Sequence, residues 1–192
     1  MIQATSDYMG IPEEFIEKDY FVSLLLKEIV TLNPNIVFKG GTSLSKCYKL
    51  ISRFSEDIDI NFHNSIKSTN KEKKRLKNSI ENAIDNVNLE LTNGDEIKSR
   101  MDFSQYKVGF PSLVGASGNL KEYLIVESYV SLKLFPSERM LVTHYILDFL
   151  EAEQQMKLIE NFNIKSFEMN VQTVERTMID KIFALCDYYE KG

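Results

Sequence analysis

Apolar residues recur at helical spacing from Phe15 through Tyr20, Leu24, Leu25 and Ile29 to Leu32. Pro12-Glu13-Glu14 ahead of them supplies the proline and acids of a first turn, so the pattern predicts a helix. After the break at Asn33-Pro34-Asn35, the run Ile36-Val37-Phe38 predicts a short strand ending at Gly40-Gly41. Thr42 or Ser43 is then placed to cap a helix containing Leu44, Cys47, Tyr48 and Ile51. From Phe54 to Phe62 the chain alternates with period two, as a half-buried strand does. Ile58 and Ile60 face the core in that strand, and Asp57 and Asp59 share its other face. Residues 69–86 predict a polar helix carried by Leu76, Ile80, Ala83 and Ile84, with Val87 just beyond.

The second half predicts strands at 89–91 and 103–110, a small-residue loop at 111–119, and a long strand at 123–134 stopped by Phe135-Pro136. Glu127 sits in the middle of that strand. Helical spacing covers 144–162, a short strand follows at 167–171, and Thr173 can cap a final helix. In that helix Glu175-Arg176 precede Met178, Ile179, Ile182, Phe183, Leu185 and Cys186. The elements together predict an α+β fold, a mixed sheet flanked by helices with a helical C-terminal part. The change from mixed strands to mainly helix near Asp148 divides the chain into a core of 1–148 and a helical part of 149–192.

With 192 residues and 43% apolar content, the chain has material for one sizeable core or two small ones. The formal charge of −5 does not by itself draw the protein onto nucleic acid, so any such contact must be a local patch. One patch exists: Lys67, Lys71, Lys73, Lys74, Arg75 and Lys77 stand against the single Glu72. It reads either as a solvated helix face or as an RNA contact through Lys71, Lys74 and Arg75. Cys47 and Cys186 lie in apolar helical patterns without a Cys-x-x-Cys pairing, which predicts buried thiols in a reducing cytoplasm. His63 and His144 are too few for a His-rich zinc site or a Ser-His-Asp hydrolase, and are expected to be structural or solvated. No basic leader with an apolar stretch opens the chain, and the longest apolar-rich run, Tyr20 to Leu26, is far short of a membrane span.

Two features carry chemistry. Gly40 and Gly41 before a helix let backbone N–H groups approach an anion, with Thr42 and Ser43 completing the turn. The same turn also occurs as pure structure. Asp57 and Asp59 on one strand face offer hard oxygen ligands to Mg²⁺, whose other positions can go to phosphate and water. Aspartate is depleted in strands, so two in one strand ask for a reason. Glu127 is the best third carboxylate, as metal ligand or proton acceptor, set against its reading as the polar face of an edge strand.

Three blocks together resemble the AbiEii/AbiGii nucleotidyltransferase toxins, within the superfamily that shares its fold with polymerase beta and minimal nucleotidyltransferases. They are Phe38-Lys39-Gly40-Gly41-Thr42-Ser43-Leu44, Arg53-Phe54-Ser55-Glu56-Asp57-Ile58-Asp59-Ile60, and Glu175-Arg176-Thr177 with Lys181-Ile182-Phe183-Ala184-Leu185. The resemblance implies metal binding by Asp57 and Asp59, phosphate binding by the glycine turn with Thr42 and Ser43, and a phosphate contact from Lys181. It implies NMP transfer from an NTP to an acceptor, an RNA such as a tRNA 3′ end, by the toxin of a toxin–antitoxin or phage-defence pair with a cognate antitoxin. Family members continue past the last helix into a further catalytic segment. The expectation is therefore a chain truncated relative to the family, with a catalytically incomplete nucleotide-binding or partner-binding protein as the alternative. A metal-dependent nuclease is a third reading.

Overall fold

The computed structural model describes residues 1–51, 57–62, 69–94, 97–100, 103–115, 120–130 and 136–191. Helix α1 (Ile2–Met9) ends on Gly10 in the left-handed conformation and leads into α2 (Glu13–Leu32). β1 (Ile36–Lys39) runs directly into α3 (Gly40–Lys46), and β2 (Asp57–Phe62) precedes α4 (Asn70–Asn86). The strands β3 (Glu90–Leu91), β4 (Lys98–Arg100), β5 (Phe103–Gly109), β6 (Tyr123–Tyr129) and β7 (Ser137–Val142) follow. The chain closes with α5 (Tyr145–Ala152), α6 (Met156–Asn161), β8 (Phe167–Gln172) and α7 (Val174–Lys191).

The strands form one mixed sheet in the order β3-β5-β6-β2-β1-β8-β7, with β4 also paired to β5. β2 is antiparallel to β1 and parallel to β6, and β1 is parallel to β8. Period-two alternation decides what each face meets. One face presents Phe38, Ile58, Ile60, Val126, Val108 and Val171, which are fully buried against Leu25, Leu26 and Ile29 of α2 and Leu76, Ile80 and Ile84 of α4. A second, smaller core joins α5 and α6 to α2 through Ile16, Ile146, Leu147, Leu150 and Ile159. The opposite face of the central strands carries Lys39, Asp57, Asp59, Gln105 and Glu127. Both helices of the main core lie behind the sheet, so this polar face is left available for chemistry.

α4 begins as its sequence predicts. The Thr69 hydroxyl accepts from the Glu72 N–H while the Glu72 carboxylate accepts from the Thr69 N–H, a reciprocal capping box. α2 is the central strut, and its polar residues are anchors. Glu17 accepts from the Ser112 hydroxyl at 2.6 Å and the Leu113 N–H at 2.7 Å, and the Lys18 ammonium donates to the Lys121 carbonyl at 2.6 Å. Asp19 pairs with buried Lys46 of α3, which also donates to the Ser23 hydroxyl at 2.7 Å, and Asp19 accepts from the Tyr145 N–H that opens α5.

Several expectations are corrected. α3 starts at Gly40 and stops at Lys46, so Thr42 and Ser43 lie inside its first turns rather than capping it, and Cys47, Tyr48 and Ile51 fall beyond it. The helix expected over 144–162 is two helices, because the polar run Glu153-Gln154-Gln155 lets Gln154 take φ 56° and turns α6 back onto the α5 core. α1, β4 and β7 were not predicted; β7 is an exposed edge strand with weak alternation. Cys186 is exposed rather than buried, because α7 beyond its first turns leaves Ile182, Phe183, Leu185, Tyr188 and Tyr189 exposed too. Cys47 is partly buried, and burial pushes its thiol up to about 12. β8 is hydrogen-bonded between β1 and β7. The expected beginning of β2 at 54–56, the continuation of β6 at 131–134, His63 and Lys67 lie outside the described residues.

Candidate active site

The site is built by register. Lys39 of β1 lies opposite Asp59 of β2, Asp59 lies beside Glu127 of β6, and Glu127 lies opposite Gln105 of β5. Four neighbouring strands thus deliver four polar side chains to one line across the open face. Asp57, two residues before Asp59, shares that face beside Ile125. Gln105 Nε2 donates to Glu127 Oε1 at 2.7 Å and fixes that carboxylate. The Lys121 ammonium lies 3.8 Å from Asp57 Oδ1, and the Lys39 ammonium lies 5.7 Å from the Tyr129 ring centre.

Gly40 closes the site from the side of α3. Its φ of 80° is the left-handed region, and a Cβ there would stand 2.1 Å from Asp59 Oδ2. Only glycine lets the backbone turn so tightly against that carboxylate. The hydroxyls of the turn point inward: Thr42 Oγ1 donates to the Asp57 carbonyl at 2.6 Å and Ser43 Oγ to the Gly40 carbonyl at 2.8 Å. Thr42 therefore ties α3 to the start of β2. By the geometry of a helix start, the groups of this turn suited to an anion are the first backbone N–H groups of α3.

Burial pushes Asp59 up to about 6, Glu127 and Asp57 add to the rise, and Lys39 and Lys181 oppose it. Asp59 therefore feels Lys181 of α7 as well as its strand neighbours. α7 is set by Thr173, whose hydroxyl accepts from the Arg176 N–H, and by Gln172, which donates to Asp180 at 3.0 Å. The structure thus brings together Asp57, Asp59, Glu127 and the Gly40 turn, and the charge of Lys181 on α7 acts on Asp59. It does not bring Lys71, Lys74 and Arg75 to them: these belong to α4, which packs on the other side of the sheet.

The donor set suits a hard divalent cation. Asp57 and Asp59 share a face, and the rise of Asp59, from burial first and then from the neighbouring carboxylates, is a penalty on its charged form that a bound cation relieves. Among the described residues no three His, Cys, Asp or Glu side chains are grouped closely enough to hold a metal by themselves. A site of two carboxylates leaves its remaining positions to water and substrate oxygens, a habit of Mg²⁺. Lys39, Gln105 and Lys121 were not singled out from the sequence. The signal for Gln105 and Lys39 was the same alternation that exposed the aspartates, applied to the neighbouring strands; Lys121 lies in a loop and left none.

Among curated proteins the comparison found no match. Among protein families, residues 24–191 match the model described as "Nucleotidyl transferase AbiEii toxin, Type IV TA system". That match takes in the glycine turn, Asp57, Asp59, Glu127 and Lys181, and the chain belongs to the AbiEii nucleotidyl transferase toxin family of type IV toxin–antitoxin systems.

Proposed function

We propose that the open face transfers a nucleotidyl group from an NTP to the hydroxyl of an acceptor RNA, a tRNA 3′ end first of all, and that this transfer is the toxic activity in the cytoplasm. The observation that supports it is the gathering of Asp57, Asp59 and Glu127 on one sheet face against the Gly40 turn, with Asp59 pushed up to about 6. Asp57 and Asp59 would hold Mg²⁺, which supplies charge neutralisation and polarises phosphoryl oxygens when bound. The first N–H groups of α3 receive phosphate oxygens, and Lys181 adds a point charge from α7. Glu127, fixed by Gln105 through one oxygen, is placed to take the acceptor proton. The acceptor oxygen bonds to the α-phosphorus as the bond to the β-phosphate oxygen breaks and pyrophosphate leaves. The chain contributes positioning and a preformed field.

The test is incubation of the protein with Mg²⁺, each α-labelled NTP in turn, and total RNA. The expected result is RNA lengthened by labelled nucleotide with wild type and not with Asp57→Asn. RNA shortening would point to a nuclease instead. The alternative, a nucleotide-binding protein without turnover, draws on the lack of a complete three-ligand group among the described residues. It requires NTP binding that survives Asp57→Ala and Asp59→Ala, with no transfer to any RNA.

A further inference from the structure

On the helix-covered side of the sheet, the basic residues of α4 border a cleft of about 430 Å³ formed with the adjoining ends of β5 and β6. Lys73, Lys74 and Lys77 form its rim, Leu76 and Val130 its apolar walls, and Ser104, Tyr106 and Ser128 its floor. Ser104 and Ser128 face each other across the β5–β6 ladder, with Tyr106 two residues along. Tyr106 and Ser128 are 1% and 3% exposed. Further along the same face come Val108, Leu124 and Val126, all fully buried and apolar. Three hydroxyls collected under a rim of ammonium groups are unusual on a face otherwise built for a core. Hydroxyls rotate between donor and acceptor roles, so such a floor can turn O–H groups to an incoming anion. Burial and the Glu81 charge push the Tyr106 phenol up, which keeps it a donor.

The cleft does not stand alone. A second depression, about 670 Å³, runs along α4 past Thr69, Lys71, Lys74 and Arg75, and Lys74 and Asn78 line both. Among the described residues that line the two depressions, Glu81 and Glu72 are the acids set against Lys71, Lys73, Lys74, Arg75 and Lys77. Glu81 lies 3.6 Å from Lys77, and Glu72 is turned into the capping box with Thr69. A row of cations longer than one phosphate, with a hydroxyl seat at one end, matches successive phosphates along a chain.

We propose that this cleft and its continuation along α4 grip the phosphodiester backbone of a single-stranded acceptor RNA, one phosphate seated over Ser104, Tyr106 and Ser128. The proposal rests on an RNA being the acceptor. Ser104 and Ser128 directly precede Gln105 and follow Glu127 in sequence and face the opposite way, so the seat lies one strand thickness behind the Gln105–Glu127 pair.

The test is fluorescence anisotropy of a labelled single-stranded RNA oligonucleotide with the full chain, without NTP or Mg²⁺, across a range of salt. The expected result is about tenfold weaker binding for Lys74→Ala/Lys77→Ala near 0.1 M salt, with the log–log salt slope reduced by about 1.4. Tyr106→Phe, which keeps all charges, should weaken binding a few-fold and leave the slope unchanged. Lys157→Ala, on α6, should change neither. Equal affinities and slopes in all four proteins, or no binding by wild type, would overturn the proposal. Inorganic phosphate binding that is lost in Tyr106→Phe while RNA affinity stays level would overturn the RNA assignment in favour of free phosphate. Failure of Asp57-dependent transfer would sink the enzymatic reading without altering this comparison.

Discussion

Asp59 sits where four influences meet: burial, two acidic neighbours, the opposing charges of Lys39 and Lys181, and a glycine backbone pressed against its carboxylate. Its folded-state value near 6 lies above the ordinary carboxylate range, so ionisation works against the fold. The stabilising contribution is complete below about pH 4 and is lost as pH rises through 6. Asp59→Asn is therefore expected to raise stability at pH 8 by about 1–2 kcal/mol, discounted for partial exposure, and to leave it little changed at pH 4. Urea denaturation at the two pH values checks this. Gly40→Ala should cost about 1–3 kcal/mol, because its φ is strained for alanine and the new Cβ displaces the Asp59 carboxylate. Thermal unfolding measures the loss, and Gly41→Ala serves as its comparison. The aspartates were legible in the sequence because alternation leaves no other place for them. Lys39 and Gln105 were not, because their role depends on which strands are neighbours, and register is not written in any one strand; Lys121 lies in a loop outside any such pattern.

At the scale of elements, α2 shows how a polar segment can mislead. Glu17-Lys18-Asp19 has the composition of a solvated helix face, yet the three are 2%, 0% and 4% exposed. Each fastens a different piece: the 111–115 loop, the backbone at Lys121, and α3 together with α5. The Lys46–Asp19 pair sets how α3 lies, and so where the Gly40 turn meets Asp59. Lys46→Met should destabilise by about 3–5 kcal/mol, since it leaves Asp19 buried without its cation. In a double-mutant cycle with Asp19→Asn, the two losses should fall well short of additive. Chemical denaturation of the four proteins supplies the cycle. Regular helices with caps, such as α4, were legible from spacing and Thr69-x-x-Glu72. α1 and β7 were not, because one is short and the other is an exposed edge with little alternation.

At the scale of the whole molecule, one sheet divides the protein into a structural side and a chemical side. The structural side includes His144, 7% exposed, with Nδ1 accepting from the Leu147 N–H at the start of α5. Burial lowers its pKa to about 3, with Lys46 adding to the fall and Asp148 opposing it. The folded state holds this imidazole neutral, so its contribution is complete above pH 6.5 and is lost as pH falls towards 3. Stability should therefore drop on acidification with a component of at most about 1.4 kcal/mol per pH unit that is absent from His144→Asn. Guanidinium titrations between pH 7 and pH 4 read this slope. On the chemical side, Asp59 lets folding and catalysis be separated in a single variant. The decisive measurement is pyrophosphate release together with acceptor lengthening by wild type and Asp59→Asn at pH 8, with Mg²⁺, NTP and RNA. The account predicts equal amounts of pyrophosphate and incorporated nucleotide from wild type, and at least about a hundredfold less of both from a variant that is folded and more stable. Transfer by Asp59→Asn at the wild-type rate would contradict it.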